Sequence, residues 1–169
     1  MPTSSRLAFD PIERAGELWA QHFGDPTPMK VVTSVMRVQQ LLIAELDRLL
    51  KPFGITFARY EVLVLLTFSR TGQLPLSKIG ERLMVHPTSV TNAIDRLEAQ
   101  GLVQRVPDVA DRRRTLAELT PAGKRLTKRA TAALTAAEFG ITGLPEGPQE
   151  QLYDLLRDLR VTAGDFPAT

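Results

Sequence analysis

Apolar positions recur along this chain at spacings that switch between helical and extended, and proline or glycine marks most of the switches. Between residues 11 and 23, Ile12, Ala15, Leu18, Trp19 and Phe23 fall near helical spacing and predict a short amphipathic helix. Asp25-Pro26-Thr27-Pro28 breaks it. A long helix is expected over residues 31–50, where Val31, Val35, Val38, Leu42, Ile43, Leu46 and Leu49 form one broad stripe. Lys51-Pro52-Phe53-Gly54 stops it. An apolar helix over residues 58–68, a loop ending at Pro75 and a short helix over residues 77–84 come next.

His86-Pro87-Thr88 opens a further helix that runs to about residue 100, with proline suited to its first turn and Gly101 as its stop. Residues 102–106 and 115–119 are short and rich in branched side chains, as two strands of a hairpin would be. Thr120-Pro121 then supplies a cap and first turn for a helix towards Glu138. After a loop over residues 140–147, Leu152, Leu155, Leu156 and Leu159 repeat at i, i+3, i+4, i+7 in a last helix. The expected fold is mainly α with a small β-hairpin wing. Two short helices around a tight turn, followed by a hairpin, make a winged helix-turn-helix.

Composition narrows the chemistry. The 169 residues include no cysteine, which removes thiol redox sensing, cysteine nucleophiles and thiolate metal sites. His22 and His86 are the only imidazoles, too few for a dedicated zinc site. No cofactor and no metal are expected. The longest apolar run, Val62-Leu63-Val64-Leu65-Leu66, is far below the roughly 18 residues of a spanning helix. The first residues hold no apolar signal core, so a cytoplasmic protein with no membrane contact is expected. Charge matters through its distribution. Residues 101–130 carry eight Lys/Arg against three carboxylates, in a chain whose net charge is only +2. Such a basic block suits a polyanion.

On the helix from Pro87, the positions Val90, Ala93, Ile94 and Leu97 share the packing face. Thr88, Ser89, Thr91, Asn92, Asp95 and Arg96 are left for the other faces. Short hydroxyls at a helix N-terminus bind phosphate, and asparagine pairs bidentately with adenine. Pro87, Thr88, Ser89, Thr91, Asn92 and Arg96 are therefore candidate DNA contacts, with Ser77 and Lys78 as phosphate contacts that fix register. Arg112, Arg113 and Arg114 stand together at the hairpin tip, where they repel one another unless a counter-charge such as a narrow minor groove is present. Lys124, Arg125, Lys128 and Arg129 read as a solvated helix face, and His86 as a cap.

The stretch LSKIGERLMVHPTSVTNAIDRLEAQGLVQRVPDVADRRRTLAELTPAGKRL resembles the DNA-binding core of the multiple-antibiotic-resistance-regulator (MarR) family. Asp111 and Arg113 match the Asp-x-Arg of that family's wing, and Leu119-Thr120 the Leu-Thr that follows. The resemblance implies that Arg113 reaches the minor groove, that Asp111 positions the wing, and that Arg112 and Arg114 meet phosphate. It also implies N- and C-terminal helices that interleave two copies, so that residues 1–54 and 121–169 flank a core at 55–120. A small aromatic or phenolic effector then sits between dimer helices and wing. Candidate effector contacts are Trp19, Met36, Arg37, Arg59 and Tyr60. A urate-responsive subgroup would match at Trp19 and Glu61, but Phe68 stands where its arginine is expected. The function implied is a homodimeric repressor on a double-stranded DNA operator. Two other classes remain: a winged-helix module that binds an acidic protein, and an enzyme, for which no catalytic constellation is visible.

Overall fold

A computed structural model describes residues 7–109, 111 and 114–167. In chain order the elements are α1 (Pro11–His22), α2 (Thr27–Leu50), a 3₁₀ turn (Lys51–Phe53), α3 (Phe57–Phe68), β1 (Gln73–Pro75), α4 (Leu76–Leu83) and α5 (Pro87–Ala99). There follow β2 (Val103–Pro107), β3 (Thr115–Leu119), α6 (Pro121–Ala136), a second 3₁₀ turn (Glu138–Gly140) and α7 (Glu146–Thr162). Mostly helical, with a small antiparallel sheet, the architecture matches the expected class.

Helix α2 begins four residues before the expected position, at Thr27 rather than residue 31. Proline at 28 does not delay it, because the missing N–H falls where a helix has no internal acceptor. The Asp25 carboxylate takes the Thr27 N–H at 3.0 Å. Sequence reading also missed a strand. Gln73, Leu74 and Pro75 lie in the expected loop, yet pair with Glu118, Ala117 and Leu116 of β3, so the hairpin becomes a three-stranded sheet in the order β1-β3-β2. A polar rung crosses it. Glu118 accepts from the amides of Gln104 on one side and Gln73, at 2.6 Å, on the other. These two bonds, Gln104 first, hold its carboxyl below the ordinary value.

One continuous core joins the helices to the sheet. Leu46 and Leu50 of α2, Leu63 and Leu66 of α3, Ile79 of α4, Ile94 and Leu97 of α5 and Leu134 of α6 are all buried there. Two cross-element bonds place α3 within it. Asp47 of α2 accepts the Phe57 N–H at 2.6 Å and so caps α3 from another helix. The Tyr60 hydroxyl lies 2.9 Å from Thr131 Oγ1 on α6. Helix α6 starts hard against the sheet, capped by Thr120, whose hydroxyl accepts the Gly123 N–H at 3.0 Å. A Cβ at position 123 would stand 2.1 Å from the Leu102 carbonyl oxygen, so only glycine allows this approach.

Candidate nucleic-acid interface

The turn between α4 and α5 depends on a second close contact. The Val85 N–H donates to the Gly80 carbonyl at 3.0 Å. A Cβ at position 80 would lie 3.2 Å from the Val85 carbonyl oxygen and 3.3 Å from Val90 Cγ2, tight enough to push the two helices apart. Met84 carries the bend itself with φ of 54°, a left-handed cap that normally favours glycine or asparagine. His86 then accepts the Thr88 N–H through Nδ1 at 3.3 Å, and Pro87 occupies the first turn of α5. Imidazole here serves as a helix cap.

Helix α5 divides as its periodicity requires. Val90, Ile94 and Leu97 are buried and Ala93 half-buried, while Pro87, Thr88, Ser89, Thr91, Asn92 and Arg96 are exposed. Thr91 returns its hydroxyl to the Pro87 carbonyl at 3.1 Å. Thr88, Ser89, Asn92 and Arg96 have no side-chain hydrogen bond or ion pair among the described residues, so their polar atoms are available to a ligand. On α4, Ser77 is exposed, and Lys78 is held by Glu81 at 2.7 Å, an exposed pair that lowers the Glu81 carboxyl and contributes little to stability.

The wing tip is organised by its acids. The Asp108 N–H donates to the Arg114 carbonyl at 3.1 Å across the hairpin, and the Arg114 N–H donates to the Asp111 carbonyl at 2.8 Å. The Arg114 guanidinium lies 3.2 Å from the Asp111 carboxylate and 3.7 Å from that of Asp108. Arg114, expected as a phosphate contact, is thus also a strut of the turn. Arg112 and Arg113 lie outside the described residues. Further along, Lys124, Arg125 and Lys128 are exposed on α6, and Arg129 covers the Phe53 ring at 5.7 Å.

Arg105 is one of the eight cations of the basic block, and sequence reading gave it no individual role. It spends its charge within the protein, on Asp95 at 2.5 Å and on Glu98, both of α5. Its backbone N–H also donates to Glu98 Oε1 at 2.9 Å. That backbone bond, then the guanidinium, holds the Glu98 carboxyl below its ordinary value. The signal was present but ambiguous: two carboxylates at i and i+3 on one helix, with an arginine in the next strand.

The five effector candidates do not converge. Trp19 of α1 packs at a tilt against Phe23, with ring centroids 5.0 Å apart. Met36 and Arg37 are exposed on α2. Arg59 donates to Thr56 Oγ1 at 3.2 Å. Tyr60 is only 5% exposed, with its hydroxyl engaged by Thr131 and its ring stacked on Phe57. Of the five, Arg37 borders a cavity, one of about 330 Å³ that it shares with Phe9, Val38 and Leu41. Glu61 is half-buried on α3, and burial raises its carboxyl above the ordinary value.

A short helix, a tight turn, an exposed polar helix and an antiparallel wing define a winged helix-turn-helix. A family model described as MarR family matches residues 57–115. The crystal structure of Sco5413, a MarR family transcriptional regulator from Streptomyces coelicolor, superposes with a TM-score of 0.78 at 51% identity, covering 84% of this chain and 99% of that one. Sco3205, a MarR family regulator of the same organism solved in complex with DNA, gives a TM-score of 0.70 at 25% identity over 78% of this chain and 84% of that one. The repressor Rv2887 of Mycobacterium tuberculosis (strain ATCC 25618 / H37Rv) is 30% identical over 117 residues, 69% of this chain and 83% of its own length. Against two other curated relatives the chain spans 64% and 59% of their length. The chain belongs to the MarR family, and the relatives and solved structures it matches are named as transcriptional regulators.

Proposed function

We propose that the protein acts as a homodimeric repressor, which reads a palindromic operator with α5 in the major groove and the arginines of the wing in the adjacent minor groove. The observation that carries this reading is the bare polar face of α5, where Asn92 and Arg96 have no side-chain partner among the described residues, in a chain whose hairpin segment is rich in arginine. Pairing of two copies through α2 and α7 would set two such helices about 34 Å apart, one DNA turn. The name of Rv2887 and the DNA complex of Sco3205 support the sign and the ligand. Ser77, Lys78, Thr88, Ser89 and Thr91 would supply phosphate contacts, and Asn92 a base contact. An aromatic carboxylate that released the DNA would find its counter-charge at Arg37 and its ring contacts at Phe9, Val38 and Leu41 of that 330 Å³ cavity, whose lining also holds Asp10 and Ser34.

The test is a set of salt titrations against the selected operator and its single-base variants. Asn92→Ala is expected to relax specificity at one position per half-site by about 1–3 kcal/mol while leaving the salt slope unchanged. Arg113→Ala is expected to weaken all duplexes and to lower the slope by about two phosphate equivalents per dimer. Duplex binding that is insensitive to salt and sequence, or unaffected by Arg113→Ala, would exclude the reading in favour of a protein-binding winged helix.

A further inference from the structure

We infer that Arg105 is a positioning residue that holds the wing in register with α5, so that the two reading heads meet DNA as one rigid unit. The inference rests on the DNA-reading function proposed above.

Three bonds cross the joint. From β2, the Arg105 guanidinium reaches Asp95 at 2.5 Å and Glu98, while the Arg105 backbone N–H reaches the other oxygen of Glu98 at 2.9 Å. Side chain and main chain of one strand residue are therefore gripped by two carboxylates one helical turn apart, which removes rotation as well as translation. A guanidinium can do this because its donors form a planar fork; an ammonium cannot. The location matters as much as the geometry. Asp95 lies three residues after Asn92 and next to Arg96, so the wing is tied to the stretch of α5 whose free polar atoms face solvent. Arg105 itself sits in the three-stranded part of the sheet, opposite Ala117, which pairs in turn with Leu74 of β1. Strand β1 pairs only with Leu116, Ala117 and Glu118 of β3, leaving Thr115 and Pro107 beyond its last rung.

The bridge also changes the charge that DNA would meet. Asp95 is 54% and Glu98 39% exposed, and both stand beside the proposed contacts. Uncovered, they would repel phosphate; Arg105 leaves the trio with one net negative charge instead of two. Its value lies in geometry and masking rather than in stability, since partly exposed pairs contribute little to folding.

The experiment uses the full-length protein and a duplex enriched by it from a randomised library, with a scrambled duplex as reference. Arg105→Lys keeps the charge but loses the fork. It is expected to weaken the selected duplex about tenfold, to leave binding of the scrambled duplex unchanged, and to keep the wild-type salt slope. Asp95→Asn/Glu98→Gln breaks the same bridge from the helix side and is expected to cut the preference for the selected over the scrambled duplex by a similar factor. In the double variant Arg105→Lys/Arg113→Ala the losses should be less than additive, because a displaced wing no longer delivers its tip. Melting curves report whether each variant is folded. If Arg105→Lys binds like the wild type while Arg105→Ala lowers the salt slope, Arg105 is a plain phosphate contact and the inference is overturned. Additive losses or unchanged preference in the helix-side variant overturn it too. If the wild-type protein enriches no duplex, the DNA reading itself fails, a result distinct from those.

Discussion

The winged lobe (residues 55–120) and the helical arm formed by α2 and α7 both carry leucine and valine at helical spacing, yet they bury them very differently. In the lobe, Leu63, Leu66, Ile79, Ile94 and Leu97 are fully buried, and the described residues contain no buried side-chain polar atom without a partner. In the arm, α7 has no buried residue, and Leu152, Leu155 and Leu159 remain 42%, 66% and 52% exposed. Along α2 the same holds for Val31, Val35, Met36 and Leu41, while Leu46 and Leu50 at its far end reach the core. The lobe completes its own core within one chain. The arm displays an apolar stripe at helical spacing that a single copy does not cover, and an interaction surface of that kind is where a second copy would sit.

The largest expected effect comes from removing the uncovered stripe. Deleting residues 145–169 takes away the four leucines of α7, worth several kcal/mol of association at about 25 cal/mol per Å² of apolar area. Sedimentation should show the intact chain as a dimer and the shortened one as a monomer, with the cooperative melt of the lobe retained. A stable dimer of the shortened chain would end the contrast between the two regions.

A matched pair of substitutions sharpens it. Leu63 is fully buried and Leu155 is 66% exposed in the single chain. Leu63→Ala is expected to cost about 2–5 kcal/mol in urea unfolding, with the same loss at every protein concentration. Leu155→Ala should cost little in dilute protein and more as concentration rises if, as proposed, a second copy covers it. Equal, concentration-independent losses would mean that α7 packs on its own chain.

The smallest effect concerns the one lobe carboxylate that burial alone perturbs upward. Glu61 has its carboxyl raised above the ordinary value by desolvation. Between the ordinary and the raised value the unfolded chain has already lost the proton that the folded chain retains. Stability therefore falls as pH rises through that window and stays reduced above it. Glu61→Gln should match the wild type below the ordinary carboxylate range. At neutral pH it should be more stable by about 0.5 kcal/mol or less, since half of the side chain is screened by water. Thermal melts across pH check this, and a loss of stability at neutral pH would point to a favourable role for the charge.

Most of the helical order was legible because it is set by local chemistry. The stop at Lys51-Pro52-Phe53-Gly54, the proline at the first turn of α5 and the Thr120-Pro121 cap each act within one turn of helix, and the buried face of α5 follows from spacing alone. The polar face of the candidate reading helix was legible for the same reason. Strand β1 was not, since three residues ending in proline hold no strand propensity worth reading and extend only because β3 presents a free edge. Tyr60 shows the same limit from the other side. In sequence it is an aromatic ring with a polar tip suited to a ligand, and the approach of α6 supplies Thr131 and closes it in.

Periodicity, caps and breakers thus determined where the chain is helical and which face of each helix is apolar. Whether an apolar face is covered within the chain, and whether an arginine meets phosphate or two carboxylates, was decided only by tertiary structure. The physical reason is that both depend on what another element brings within a few ångströms: Asp95 and Glu98 to Arg105, and no described core residue to the leucines of α7.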